Sequence, residues 1–130
     1  MGIAMRLLSA ALAALMLSGP ASAFWAVNGM TVQPLEDGRF YIPWRGQSGD
    51  TAFWCAAGDY ARRRLGLPAA AHIWRISEPP RRAGKGIVFS TSPEGAASDS
   101  GITRIGGAKR PDFTVAAAQF YCESFDIFDN

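Results

Sequence analysis

Apolar and polar residues follow three periodicities along this chain, and each predicts a different element. An almost uninterrupted apolar run from Leu7 to Leu17 follows one early charge, Arg6, and precedes Ala21-Ser22-Ala23. That order predicts a secretory signal peptide over 1–23, cleaved before Phe24. The run is roughly 11 residues, against the about 20 needed to cross a bilayer core, so no stable membrane insertion is expected after cleavage. Phe24 stands where a lipoprotein would carry cysteine.

Beyond the leader, period-two alternation takes over. Met30 to Leu35 and Arg39 to Trp44 flank Glu36-Asp37-Gly38, and Asp-Gly supplies the positive backbone angles of a tight hairpin. Phe40, Ile42 and Trp44 share one face and are expected in the core. Pro34 and Pro43 lack amide donors, which predicts ragged or edge strands.

A 3.6-residue period then predicts a helix over 51–65, capped by Ser48 or Asp50 and ended by Gly66 and Pro68. Phe53, Trp54, Ala57, Ala61 and Leu65 form its apolar face, while Asp59, Arg62 and Arg63 lie opposite. Asp59 and Arg63 are spaced for a helical ion pair worth a few tenths of a kcal/mol. Cys55 falls on the polar side, an odd place for a lone thiol.

Two further strands are expected at 71–77 and 86–91, around a connection held extended by Pro79-Pro80. Residues 92–101 form a loop, and a short strand is expected at 102–105. In 113–122, Thr114 suits the cap of an alanine-rich helix, whereas Phe113, Val115 and Tyr121 alternate like a strand. Helix is favoured. The tail from about 124 is expected to be loosely held.

These elements add up to α+β: a small single domain over 24–130, with an antiparallel sheet of about four to five short strands packed on one central helix and a second helix near the C-terminus. About 107 residues suit one domain with a modest core. All fifteen aromatics, eight Phe, four Trp and three Tyr, lie in that part. The only cysteines, Cys55 and Cys122, are 67 residues apart. In an exported domain this predicts one structural disulfide and excludes a C-x-x-C redox pair. With a single histidine, the chain makes a poor zinc set, and no metal or cofactor is expected.

The formal charge of +2 for the whole chain provides no field that would steer it to nucleic acid or anionic membrane. Eleven arginines against two lysines, with many alanines and glycines, match the composition of GC-rich bacterial genomes, so the expected destination is the periplasm or medium. What charge there is lies in clusters. Arg62-Arg63-Arg64 closes the predicted helix, where cations complement the helix dipole. Arg81-Arg82 and Lys85 lie on the proline-ordered loop, where arginines can grip a carboxylate or phosphate bidentately. Exposed members of the set Phe24, Trp25, Tyr41, Trp44, Phe53 and Trp54 would offer a second surface for partners or glycans.

Candidate catalytic chemistry is sparse. His72 is the only histidine, and its alternation with Trp74 and Ile76 favours a structural role over acid-base work. No Gly-x-Ser-x-Gly is present, and Glu78, Glu94 and Asp99 fall in loops where carboxylates are usually solvated. Ala83-Gly84-Lys85-Gly86 has the Gly-Lys of a phosphate loop without its upstream glycine or the following Ser or Thr. The sequence therefore favours a non-enzymatic binding or envelope-interaction module, contacting an envelope protein or anionic ligand through Arg81, Arg82, Lys85, Arg62 and Arg63. The alternative is a small periplasmic hydrolase acting on envelope material through His72 or a loop carboxylate. That alternative requires His72 in a cleft within reach of a carboxylate or hydroxyl.

Overall fold

The computed structural model describes residues 23–46 and 49–126. The expected leader, apart from Ala23, and the expected cap Ser48 lie outside them. The described chain forms six strands, β1 (Phe24–Trp25), β2 (Thr31–Pro34), β3 (Arg39–Ile42), β4 (His72–Arg75), β5 (Ile87–Ser90) and β6 (Asp112–Thr114). Two helices complete it, α1 (Asp50–Arg63) and α2 (Val115–Asp126). All strand pairs are antiparallel, in the order β1-β2-β3-β5-β4-β6. The fold is α+β.

The β2–β3 hairpin turns at Asp37 and Gly38, with φ of 59° and 74°, and closes through Leu35 N–H to Arg39 O at 2.8 Å. The proline expectation is corrected: β2 and β3 lie inside the sheet. Pro34 is tolerated because β1 pairs only with Thr31 and Val32, and Pro43 stands just past the end of β3. Trp44 also lies past that end and is exposed, so the inward face is Phe40 and Ile42 alone.

Ten consecutive residues of α1, Ala52 to Ala61, are buried, more than a one-faced amphipathic helix provides. The helix is covered on both sides, by the sheet and by α2. Its polar flank is where α2 lies: Cys55 is fully buried and bonded to Cys122, with Cα atoms 4.8 Å apart. Asp59 is likewise buried rather than solvated. Val27 N–H donates to its Oδ2 at 2.9 Å, and Arg63 clasps both of its oxygens. Leu65, expected on the apolar face, lies beyond the helix end and is exposed.

Asp50, the expected cap among the described residues, does not cap α1. Gly49 occupies the N-cap without a side-chain bond, and the Asp50 carboxylate is taken by Arg75. Thr114 does cap α2, accepting from Ala117 N–H at 3.1 Å. Both readings of 113–122 hold a part: Phe113 sits in β6, and the helix begins at Val115 and runs to Asp126, into the segment expected as a loose tail. Residues 102–105 are not a strand. The chain turns there, with Gly107 N–H on Arg104 O at 3.1 Å and Ile105 exposed.

Cys55 meets Cys122, and Gly58, one turn on, faces Ala118, one turn back, so the helices cross antiparallel. A Cβ on Gly58 would lie 2.8 Å from Ala118 Cβ and 2.8 Å from the Gln119 amide nitrogen. Backbone cannot swing aside as a flexible side chain can. Gly58→Ala is therefore expected to cost about 1–3 kcal/mol of stability, despite alanine's higher helix propensity. Chemical denaturation reads this directly, and an unchanged or higher midpoint would show that the helices separate easily.

Candidate functional site

The site begins with a charge in the wrong place. Along β4, Ile73 and Arg75 point to the core, and His72 and Trp74 to the other side. Arg75 is fully buried, at 0% exposure. Its Nη1 donates to Asp50 Oδ2 at 2.8 Å and to Ser100 O at 3.1 Å, and its Nε to Ser77 O at 2.7 Å. Nη2 is buried without a hydrogen-bond partner among the described residues. Such a donor costs about 1–3 kcal/mol in lost hydration.

The loop after β4 brings a second guanidinium alongside. The chain bends at Pro79 and Pro80, whose peptide is cis, where the sequence predicted an extended connection. Arg81 lies over the buried Phe53 ring, 5.2 Å from its centroid. Its Nη1 donates back to Lys85 O at 2.9 Å and Arg82 O at 3.2 Å. Its Nε is also buried and without a partner among the described residues.

Both arginines line one cavity of about 290 Å³, with Arg82, Lys85, Ser77 and Glu78. The Glu78 carboxylate is occupied by Ser98, through N–H at 2.6 Å and the hydroxyl at 2.8 Å. The wall left for a ligand is cationic. A neighbouring cavity of about 500 Å³ shares Arg81 and adds Asp50, Asp99 and Lys109, so its charges largely cancel.

The helical arginines do not join this wall. Arg63 donates to Asp59 and to Trp25 O, and it lies 4.8 Å from the Phe24 ring centroid, with Arg64 5.5 Å from the same ring. The bond to Asp59 pushes the Arg63 guanidinium up from its ordinary range. Phe53 lies in the first turn of α1 and Arg63 in the last, roughly 15 Å apart along the axis. Arg63 thus fastens the N-terminal segment to α1, and Arg62 is exposed beside it.

His72 occupies a different cleft. Its side chain is 41% exposed, and Nδ1 lies 2.7 Å from Oδ2 of the buried Asp112. Arg110 Nη2 reaches the same oxygen at 3.2 Å. Burial pushes the Asp112 carboxyl up, but the hydrogen bonds and charges of His72 and Arg110 outweigh it and hold the group below its ordinary range. Arg104 stacks over Phe113 at 4.1 Å and donates through Nη2 to the Asp112 carbonyl, and its Nε is buried without a partner among the described residues. These groups and Thr114 line a cavity of about 240 Å³. The geometry that the hydrolase alternative requires is present, although the Thr114 hydroxyl oxygen is engaged in capping α2.

A groove of about 580 Å³ lies at the hairpin tip among Glu36, Asp37, Arg39 and Glu94. Its acidic side chains are exposed, and among the described residues no buried donor without a partner lines it, so size alone does not make it the site. Of the aromatic set, Phe24, Phe53 and Trp54 are buried, Tyr41 is half-buried, and Trp25 and Trp44 are exposed, with Arg45 5.0 Å from the Trp25 ring centroid. Among the described residues no three His, Cys, Asp or Glu side chains are placed to hold a metal ion.

Arg75, Arg104 and Arg110 were not singled out by the sequence. Period-two alternation with Ile73 is the one signal that would have found Arg75. Comparison with protein-family models, curated proteins and solved structures finds no match for this chain.

Proposed function

We propose that this protein is an exported, disulfide-stabilised binding module that takes an anionic group, a carboxylate or a phosphate, of an envelope component into the cavity between Arg75, Arg81 and Lys85. One observation carries the reading: Arg75 and Arg81, which line one cationic cavity, each keep a buried N–H donor, Nη2 and Nε, without a partner among the described residues. An oxyanion bound in that cavity is the kind of partner these donors lack. A water-excluded wall strengthens each such bond, and the folded loop fixes Arg81 before the ligand arrives. Export is supported by the leader pattern of 1–23, by the disulfide, and by the finding that no helix among the described residues is long and apolar enough to cross a membrane.

Arg82 and Lys85 are exposed, so their charges can be reversed without uncovering Phe53. The Arg82→Glu/Lys85→Glu variant is expected to melt like the parent and to bind acetate or phosphate at least about tenfold more weakly, or about 1.4 kcal/mol. The parent's affinity should fall as salt rises. Capture from an envelope extract, run with both proteins, should recover an anionic component with the parent alone. Equal affinity and equal recovery would remove the loop from the binding site.

A further inference from the structure

We infer that the cleft beside β6 is a second and separate binding site, for a tetrahedral oxyanion of the phosphate or sulfate type, and that a proton on His72 completes it. Three cationic or titratable side chains converge there from different elements: His72 from β4, and Arg104 and Arg110 from the segment before β6. Among the described residues Asp112 on β6 is the only carboxylate lining the cavity, and α2 contributes Ala117, which carries no charge.

Arg104 is clamped on two sides, by the Phe113 ring and by the Asp112 carbonyl, while its buried Nε–H has no partner among the described residues. Backbone donors from the start of α2 are spent: Val115 N–H goes to Ala71 O, Ala116 N–H to Ala69 O, and Ala117 N–H to Thr114 Oγ1. A ligand must therefore be held by side chains. The cavity has room for roughly eight waters at about 30 Å³ each, enough for one such anion. Donors from three separate side chains suit an anion with three or four oxygens better than the two coplanar oxygens of a carboxylate.

Asp112 decides what His72 contributes. An ionised carboxylate only accepts, so its bond to Nδ1 keeps the proton of neutral imidazole on Nδ1 and leaves a lone pair on Nε2, which repels an oxyanion. Protonation places N–H on Nε2 and turns that repulsion into a charged donor. The anion and the proton on His72 therefore favour one another, and by linkage the effect is reciprocal.

The chain's single histidine makes the test direct. The His72 ring resonance of the oxidised protein is titrated by NMR with and without sulfate, a probe whose charge stays constant over the range. Sulfate is expected to move the midpoint of the titration to higher pH, and to bind at least about tenfold more tightly near pH 5 than near pH 8. Arg104→Gln and the more exposed Arg110→Gln should each remove the sulfate-induced movement, and Arg110→Gln should leave the melting curve unchanged. The Arg82→Glu/Lys85→Glu variant should keep it. An unmoved midpoint in the parent, or a movement lost only with Arg82 and Lys85, overturns this site and leaves the Arg75 cavity untouched.

Discussion

Replacing the bonded cysteines as a pair, Cys55→Ala/Cys122→Ala, is expected to lower the unfolding free energy by about 4 kcal/mol. The bond closes 67 residues, and in the chain-entropy model a loop of that length withdraws about that much freedom from the unfolded chain. Folded-state losses act in the same direction, because Cys55 is fully buried between α1 and α2. A domain of this size has about 5–15 kcal/mol in total, so the variant should lose a large share of its stability. Denaturant titration reads the loss as a lower midpoint, and a more expanded unfolded state should steepen the transition. A change under about 1 kcal/mol would mean that helix packing alone holds the pair.

The bond also shows what was legible in the sequence. An exposed-looking cysteine on the polar side of α1 and one distant partner sufficed to predict it. The hairpin was legible because Asp37-Gly38 is a local turn signal, and α1 because its period runs over fourteen residues. Local patterns fail where distant segments decide burial. Asp59 reads as a solvated partner of Arg63, yet it is buried and the segment after β1 reaches it, with Val27 N–H donating to its oxygen. Residues 102–105 have the composition of a strand, but Gly106 and Gly107, both with positive φ, turn the chain away.

The candidate site follows the same division. Arg81, Arg82 and Lys85 were legible as a cluster on a proline-bearing loop. Arg75 was not, because its burial depends on Asp50 and Ser100, each 25 residues away. His72 alternates with Trp74, and their rings lie 6.0 Å apart, so the sequence correctly groups them on one face of β4. Which face turns to the core is set by α1 and by Phe113 opposite Ile73, which a strand read alone does not contain.

Arg75 and Asp50 separate the structural and binding roles of the buried charge. Asp50→Ala leaves a fully buried guanidinium without its counter-charge, and breaking a buried pair in this way costs about 3–5 kcal/mol. The lower end is expected, since the Asp50 side chain keeps 18% exposure and Ser77 and Ser100 still accept from Arg75. Replacing the pair together, Asp50→Ala/Arg75→Met, removes both charges and the unpartnered donor, and exchanging a whole buried pair for apolar residues is often near neutral or stabilising. The double variant Asp50→Ala/Arg75→Met should therefore be more stable than Asp50→Ala alone, a coupling that a double-mutant cycle measures. Anion affinity should follow a different order: weakened at least about tenfold wherever Arg75 is replaced, whatever the stability. If Asp50→Ala/Arg75→Met instead lost more than about 2 kcal/mol while binding acetate and phosphate as the parent does, Arg75 would be a structural strut and the cavity beside it would lose its claim as the binding site.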